Sequence, residues 1–289
     1  MTIAPDTAVS PAIFLHIPKT AGSTLYRILG NHYPFKNIYT VWQDGSLDEF
    51  KQLTPEQHTS IRLLRGHFGY GLVSCLPAES VWFTILRDPV ERAISYYHFI
   101  RRSPRHYCYD RVTQNKLSLE EFLTGQIDTL ADNGQTRLLA NLETGHEIPF
   151  GQCSKEMLTQ AKYNLQTNMA VVGLTEQFDE TLLLLQKAFG WRNIYYSRQN
   201  VSRNKSSQTE LPASTLEVIR QTNQLDTALY QFAEQLFREQ WQKWGDDAAL
   251  VSFRRRNRQY AWFTKLRWQT RKFPLRTRVK RLFQSRSGS

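Results

Sequence analysis

Apolar positions recur along this chain in two rhythms. One is that of strands, read at 12–17, 80–86 and 169–174 as largely apolar runs and at 36–42 and 61–67 as mixed segments, with a last short one at 194–196. The other is the helical repeat, which predicts helices over 21–31, 47–53, from Pro89 onward, 117–139, 154–166, 178–189, 212–223 and 225–244. Local signals set several ends. Asp88 suits a cap and Pro89 a first helical turn, Ser154 suits a cap, and Gly190 follows a helix end. Met157, Leu158, Ala161 and Leu165 share one side of their helix, and Leu225, Leu229, Phe232 and Leu236 repeat as a core stripe. Residues 107–115 and 141–153 read as loops, 1–10 as a polar mobile start, and 197–211 as a basic polar loop. Strands alternating with helices predict an α/β domain with a parallel sheet.

The chemistry sits where strands end. The first run breaks at Pro18 and a helix resumes at Thr20, so Lys19, Thr20, Ala21, Gly22, Ser23 and Thr24 form a tight strand-to-helix loop. One lysine, a glycine and three hydroxyls beside the unpaired amides of a helix start make an anion cradle. The lysine precedes the glycine, which is not the Walker spacing. The run 80–86 passes straight into Arg87-Asp88-Pro89-Val90-Glu91-Arg92-Ala93-Ile94-Ser95. Ser95 then lies roughly 9 Å along the helix from its start, at about 1.5 Å per residue. Arg87 and Ser95 can close on one phosphate from two directions. The run 61–67 ends in Arg65-Gly66-His67-Phe68-Gly69-Tyr70-Gly71, which puts His67 where open α/β sheets collect their functional groups. A packed histidine is the alternative for His67, and a capped helix with a surface arginine is the alternative for Arg87.

The loop at 17–21, Ile-Pro-Lys-Thr-Ala, resembles the 5′-phosphosulfate loop of sulfotransferases that use 3′-phosphoadenosine 5′-phosphosulfate (PAPS). Arg87-Asp-Pro-x-x-Arg-x-x-Ser95 resembles their 3′-phosphate motif, and the two lie about 65 residues apart in the family's order. Ala161-Lys-Tyr-Asn-Leu165, Val171-Val-Gly-Leu-Thr-Glu176 and the Arg-Gly-His67 stretch with its following tyrosine resemble heparan sulfate and uronosyl 2-O-sulfotransferases. The resemblance implies a sulfotransferase fold, a P-loop-like parallel sheet flanked by helices, and sulfuryl transfer from PAPS to a carbohydrate hydroxyl without a metal. It implies His67 as general base, Lys19 on the leaving group, and Lys19, Thr20, Ala21, Gly22, Ser23, Thr24, Arg87 and Ser95 on the nucleotide. Arg203 and Lys205, in the loop that folds over the nucleotide in the family, join that set, with a plain linker as the alternative. Arg65, Tyr70 and Arg101 are the acceptor candidates. Relatives carry a second histidine where this chain has Arg65, so Arg65 is free to pair with an acidic sugar. His16 is a weaker candidate base that suits packing or orientation better.

Composition changes this picture in one place. The chain has 289 residues and a formal net charge of +11. Thirteen Lys and Arg and no acid fall within 250–289, so 1–249 holds 37 − 13 = 24 basic residues against 26 acids. The body is near neutral, and the excess forms a basic tail with Trp262, Phe263, Trp268, Phe273 and Phe283. Boundaries are therefore set at 1–10, a catalytic domain over 11–249, and a tail over 250–289. That tail suits an anionic membrane surface, a polyanionic glycan or a solubilising role; nucleic acid is a weaker fit. Cys75, Cys108 and Cys153 lie far apart without metal-ligand spacing, and they read as reduced thiols of a cytoplasmic protein, peripheral at the inner membrane face if the tail binds lipid. No run reaches the ~18 apolar residues of a span, and the start lacks signal-peptide character. Three other classes stay open: a sulfotransferase for small or lipid-linked acceptors, a nucleotide-dependent phosphotransferase, and a non-enzymatic binder of anionic polymers.

Overall fold

The computed structural model describes residues 10–42, 46–197 and 211–272. Five strands, β1 (Ala12–Leu15), β2 (Ile38–Val41), β3 (Leu63–Gly66), β4 (Val81–Leu86) and β5 (Met169–Leu174), form one sheet in the order β2-β3-β1-β4-β5. Every neighbouring pair is parallel. The described helices are α1 (Gly22–Leu29), α2 (Ser46–Lys51), α3 (Pro55–Ser60), α4 (Pro89–Ile100), α5 (Tyr109–Gln114), α6 (Leu119–Thr124), α7 (Gly134–Leu139), α8 (Lys155–Asn168), α9 (Phe178–Phe189), α10 (Ala213–Thr222), α11 (Gln224–Trp244) and α12 (Asp247–Lys272). Helices flank the sheet, and its central strand β1 is apolar and buried throughout, whereas the edge strand β2 is partly exposed. All four residues of β1 are buried, and Phe14 stacks on its register partner Phe83 with ring centroids 5.0 Å apart. The expected α/β parallel sheet is the observed one.

The chain leaves β1 toward β2 and β3 on one side and then crosses to β4 on the other. The order reverses beside β1, and ligands of open α/β sheets bind in the crevice this opens at the carboxyl edge. Gly66 ends β3 there at φ 149°, and a Cβ on it would meet the Val41 carbonyl oxygen at 2.1 Å. Only glycine allows β2 and β3 to close so tightly before His67.

Four expectations are corrected. The predicted helix over 117–139 is three short pieces, α6, a 3-10 turn at Thr129–Ala131 and α7. Gln126 and Asn133, both at positive φ, break it, and Asp128 caps the 3-10 turn. Residues 107–115, read as a loop, contain α5. Residues 194–196 form no strand, because the Tyr196 amide donates to Asn257 Oδ1 of α12 at 2.8 Å instead of to a ladder. The boundary at 249/250 falls inside α12: Leu250 and Phe253 are buried, Phe253 stacks on Tyr195 at 5.6 Å, and Arg254 pairs with Asp179 and Glu180. The basic segment begins as a docked helix because those apolar groups anchor it to α9. Residues 1–9 lie outside the described residues, as does most of the loop over 197–211. No described helix is long and apolar enough to cross a membrane.

Candidate active site

The loop after β1 is shaped by its backbone. Lys19 stands at φ 76° and Ala21 at φ 63°, two non-glycine residues in the left-handed region within three positions. Such strain, ~1–3 kcal/mol each, persists only where surrounding structure enforces it, and it turns successive amides toward one point. No described group accepts from the amides of Lys19, Thr20, Ala21 or Gly22. They face the start of α1, whose cap residue Ala21 offers no side-chain acceptor. Thr20 is fully buried and donates its hydroxyl to the Ile17 carbonyl at 2.8 Å, so it braces the loop from behind. Ser23 is exposed and Thr24 buried. A Cβ on Gly22 would lie 1.9 Å from His16 Nε2, so this glycine makes room for a ring.

That ring is part of a histidine pair. His16 and His67 have centroids 4.5 Å apart, and His16 Nδ1 meets the Tyr26 hydroxyl at 3.1 Å. His67 donates from Nδ1 to the His16 carbonyl at 3.0 Å. That bond fixes the tautomer and leaves Nε2 as the basic nitrogen. Burial, ahead of the nearby Lys19 charge, lowers the His67 pKa to about 4, and the bond to His16 opposes the fall. His16 is shifted down as well, by burial first and His67 second. Both rings are neutral near pH 7. His16 orients and packs, as its place before the loop suggested.

The end of β4 is built from side chains. Arg87 is buried, sends Nη1 to the Lys19 carbonyl at 3.2 Å and Nη2 to Glu91 at 3.1 Å, and keeps a buried Nε without a partner among the described residues. Its backbone is held at both ends by one residue. Gln135 Oε1 accepts the Arg87 amide at 3.0 Å, and Gln135 Nε2 donates to the Arg87 carbonyl at 2.9 Å. Gln135 sits at the start of α7, where Asp226 accepts from its amide and from the Thr136 amide and hydroxyl at 3.1, 2.7 and 2.8 Å. Arg92 pairs with Asp226 at 3.4 Å, which ties α4 to the same platform. Asp88 caps α4 by accepting the Glu91 amide at 2.9 Å, as the sequence predicts. Ser95 lies half-buried on that helix.

The two ends meet at Lys19. Its ammonium lies 4.1 Å from the Phe99 ring centroid, and its pKa falls to about 8, from burial first and then from Arg102 and Arg87. Lys19, Arg87 and Arg102, with Glu91 as the carboxylate paired to Arg87, make a site that favours an added anion. Loop amides, the unpaired Arg87 Nε and this charge fit a nucleotide carrying phosphates at both ends.

Against known proteins, residues 3–261 match the galactose-3-O-sulfotransferase family model. The chain belongs to this family. Heparan-sulfate 6-O-sulfotransferase 1 of Cricetulus griseus is 27% identical over 281 residues, covering 80% of this chain and 68% of that protein. Its human counterpart is 29% identical, with 80% and 66% covered. The chain thus spans about two thirds of the length of these relatives. Mouse sulfotransferase SULT7A1 complexed with PAP aligns at TM-score 0.34 and 14% identity, over 76% of this chain and 65% of that one. The resemblance to carbohydrate sulfotransferases is borne out at family level. These two relatives are 6-O enzymes by name, whereas the motifs were likened to 2-O enzymes. The match runs through residue 261, so the family unit includes the docked half of α12.

The structure brings Lys19, His67 and Arg87 to one edge and separates the acceptor candidates from it. Arg65 is spent on Thr40 Oγ1 and the Tyr26 carbonyl, both at 3.1 Å, and stacks over the Tyr26 ring at 4.3 Å. It braces α1 against β2 and β3, because its side chain lies between them. Tyr70 is buried against Trp82, four residues before the end of β4, at the far side of the sheet from His67. Arg101 is exposed over Tyr97 and lines a cleft of about 480 Å³ with His98, Thr113, Lys116 and Ser118. Neither Lys19 nor His67 lines that cleft. Arg203 and Lys205 lie outside the described residues. Gln135 and Phe99 were missed, since neither carries a local signal of its role.

One grouping was invisible to spacing. His106, Cys108 and Asp128 bring ligand-type atoms within 4.8 Å. Asp128 Oδ2 already accepts from the Tyr96 and Tyr107 hydroxyls at 2.7 and 2.6 Å, and Oδ1 from the Leu130 amide at 2.9 Å. Burial, then Asp128, raises the Cys108 pKa to about 12, so the thiol stays protonated as a donor. The group is a hydrogen-bonded anchor for the turn after α4.

Proposed function

We propose that the protein is a PAPS-dependent sulfotransferase acting on a carbohydrate hydroxyl, with an acidic glycan as acceptor. One observation carries this reading: His67, tautomer-locked on the His16 carbonyl, presents its basic nitrogen at the edge that holds the Lys19 loop. Bound PAPS supplies the sulfuryl group. The loop amides of 19–22, Ser23 and Lys19 hold its 5′ end, and Arg87 with Ser95 holds its 3′-phosphate. Binding there requires the Arg87 Nη2 to share or leave Glu91, which is already within reach of solvent.

His67 Nε2 takes the acceptor proton as the acceptor oxygen bonds to sulfur and the bond from sulfur to the phosphate oxygen breaks. A positioned base of this kind contributes ~10²–10⁴ in rate. The low pKa keeps His67 unprotonated at neutral pH, and its second nitrogen stays bonded to His16 throughout. Lys19 and the loop amides stand where negative charge grows on the leaving phosphate, the arrangement that lowers barriers most. Burial first, and then the Arg102 and Arg87 charges, depress the Lys19 pKa, and an anion beside it favours the protonated form.

Titration of 3′-phosphoadenosine 5′-phosphate (PAP) against AMP, ADP and ATP tests the donor site. PAP should bind at least tenfold more tightly than AMP, and equal binding overturns the reading. Transfer of labelled sulfate to a panel of polysaccharides, phenols and glycolipids tests the acceptor. Transfer to phenols alone overturns the carbohydrate assignment.

A further inference from the structure

The distal half of α12 is placed on the reacting side of the molecule. Lys187, near the end of α9, donates to the Trp244 carbonyl just before α12 begins, and Arg254 pairs with Asp179 and Glu180 at the start of α9. The two helices therefore run antiparallel. Because α9 starts at the carboxyl end of β5, α12 reaches the carboxyl edge of the sheet at about Arg254. The same edge carries Lys19, His67 and Arg87, which follow β1, β3 and β4. Eighteen residues of α12 remain after Arg254, ~27 Å of helix at about 1.5 Å per residue.

This projecting half carries positive charge and flat apolar rings. Arg255, Arg256, Arg258 and Lys265 are exposed, and Trp262 and Phe263 are 59% and 60% exposed. The nearest acid in sequence is Asp247, and none follows through Ser289. Successive positions turn by about 100°, so Arg254, Arg255, Arg256 and Arg258 point to several sides of the helix. A helix that lies in a lipid interface needs its apolar residues segregated from its charges. Here the two are interleaved, which suits a flexible polyanion that can wrap a rod.

We infer that the distal half of α12 is an extended docking arm for a polyanionic glycan, holding the acceptor chain beyond the reacting sugar. The inference rests on the sulfotransferase reading for its substrate. Charge complementarity draws the sulfate and carboxylate groups to the arginines, and sugar faces lie on Trp262 and Phe263. The arm acts on long acceptors and leaves the donor site alone, because the described contacts of its side chains go to Tyr195, Asp179 and Glu180 and not to Lys19, His67 or Arg87.

The test uses the full chain and a variant with Arg255→Gln, Arg256→Gln, Arg258→Gln and Lys265→Gln, which keeps good helix formers at every position. Long heparin chains, a heparin tetrasaccharide and PAP are titrated into both. The variant should lose at least about tenfold in affinity for long heparin and show a shallower salt dependence. Affinity for the tetrasaccharide and for PAP should stay within about twofold, which also shows that the variant is folded. A Trp262→Ala, Phe263→Ala variant should weaken long heparin with the salt dependence unchanged. Equal heparin affinity in wild type and the four-site variant overturns the inference. So does tighter wild-type binding to phosphatidylglycerol vesicles or to a single-stranded oligonucleotide than to heparin. Failure of wild type to bind PAP would instead remove the sulfotransferase reading, and the heparin arms of the experiment do not depend on it.

Discussion

The ends of β1 and β4, proposed above to hold one nucleotide, are built by different means. At β1 the feature is backbone: Lys19 and Ala21 hold left-handed conformations, and four amides have no acceptor among the described residues. At β4 a side chain is the ligand, and Arg87 is aimed by Gln135, which hangs from Asp226 more than ninety residues further on. A backbone site needs only a short run of the right residues. A side-chain site needs a buried scaffold, here one in which Arg92, Asp226, Gln135 and Thr136 are each almost wholly enclosed. The first is local and strained; the second is distributed and relaxed. They touch at one bond, from Arg87 to the Lys19 carbonyl.

The largest effect belongs to the end of β3, beside the β1 loop. His67→Ala should lower turnover by ~10²–10⁴-fold with PAP affinity near wild type. Unchanged turnover would move the base elsewhere, with His16 next to test. On the β4 side, Arg87→Ala should weaken PAP by ~2–5 kcal/mol while leaving AMP almost untouched, if the phosphate pair is desolvated. Equal losses for both nucleotides would show that Arg87 acts through the Lys19 loop, which would merge the two ends into one.

Gln135→Leu sharpens the contrast. It leaves the Arg87 amide and carbonyl unpaired in the interior, at ~1–3 kcal/mol for each buried group left unsatisfied. PAP affinity should fall by more than AMP affinity, and Gln135→Glu, which keeps an acceptor for the amide, should recover part of the loss. A drop in melting temperature with no change in PAP-to-AMP selectivity would make Gln135 merely structural. Gly22→Ala should cost ~1–3 kcal/mol of stability by overpacking against His16, read by denaturant unfolding. Wild-type stability together with wild-type PAP binding would show that the ring can move away and that the cradle is less rigid than its backbone suggests.

The smallest effect is a matter of pH. His67 has a folded pKa of about 4, below its ordinary 6.5, so the unfolded chain binds more protons between those values. Stability therefore rises with pH across that window and is lost as pH falls through it. His16 is shifted the same way and adds to the slope. His67→Gln should flatten the melting temperature between pH 6.5 and 4 relative to wild type. An unchanged slope would place the proton uptake on other groups.

Much of this was legible in the residues. The five segments read as strands before residue 175 became the five strands of the sheet, with the wholly buried β1 at its centre. The strand, loop and helix at β1 were readable because their signals lie in consecutive residues, and Asp88 with Pro89 marked the start of α4 for the same reason. Reading failed where a role depends on what packs opposite. Arg65 looked free to pair with an acidic sugar until Tyr26 and Thr40 took its donors, and Tyr70, another acceptor candidate, packs against Trp82. The basic segment from 250 looked unable to join a core, yet Leu250 and Phe253 were enough to seat α12 on α9.

Sequence by itself determined the periodicity of the elements, the loop chemistry after β1 and the charge asymmetry of the last forty residues, since each is a property of neighbours along the chain. Tertiary structure alone decided which nitrogen of His67 is basic, what aims Arg87, and that α12 runs antiparallel to α9 toward the carboxyl edge of the sheet. Those depend on a carbonyl from β1, an amide from α7 and the direction of α9. Contacts between residues tens to hundreds of positions apart are settled by how the layers close, and no local pattern encodes them.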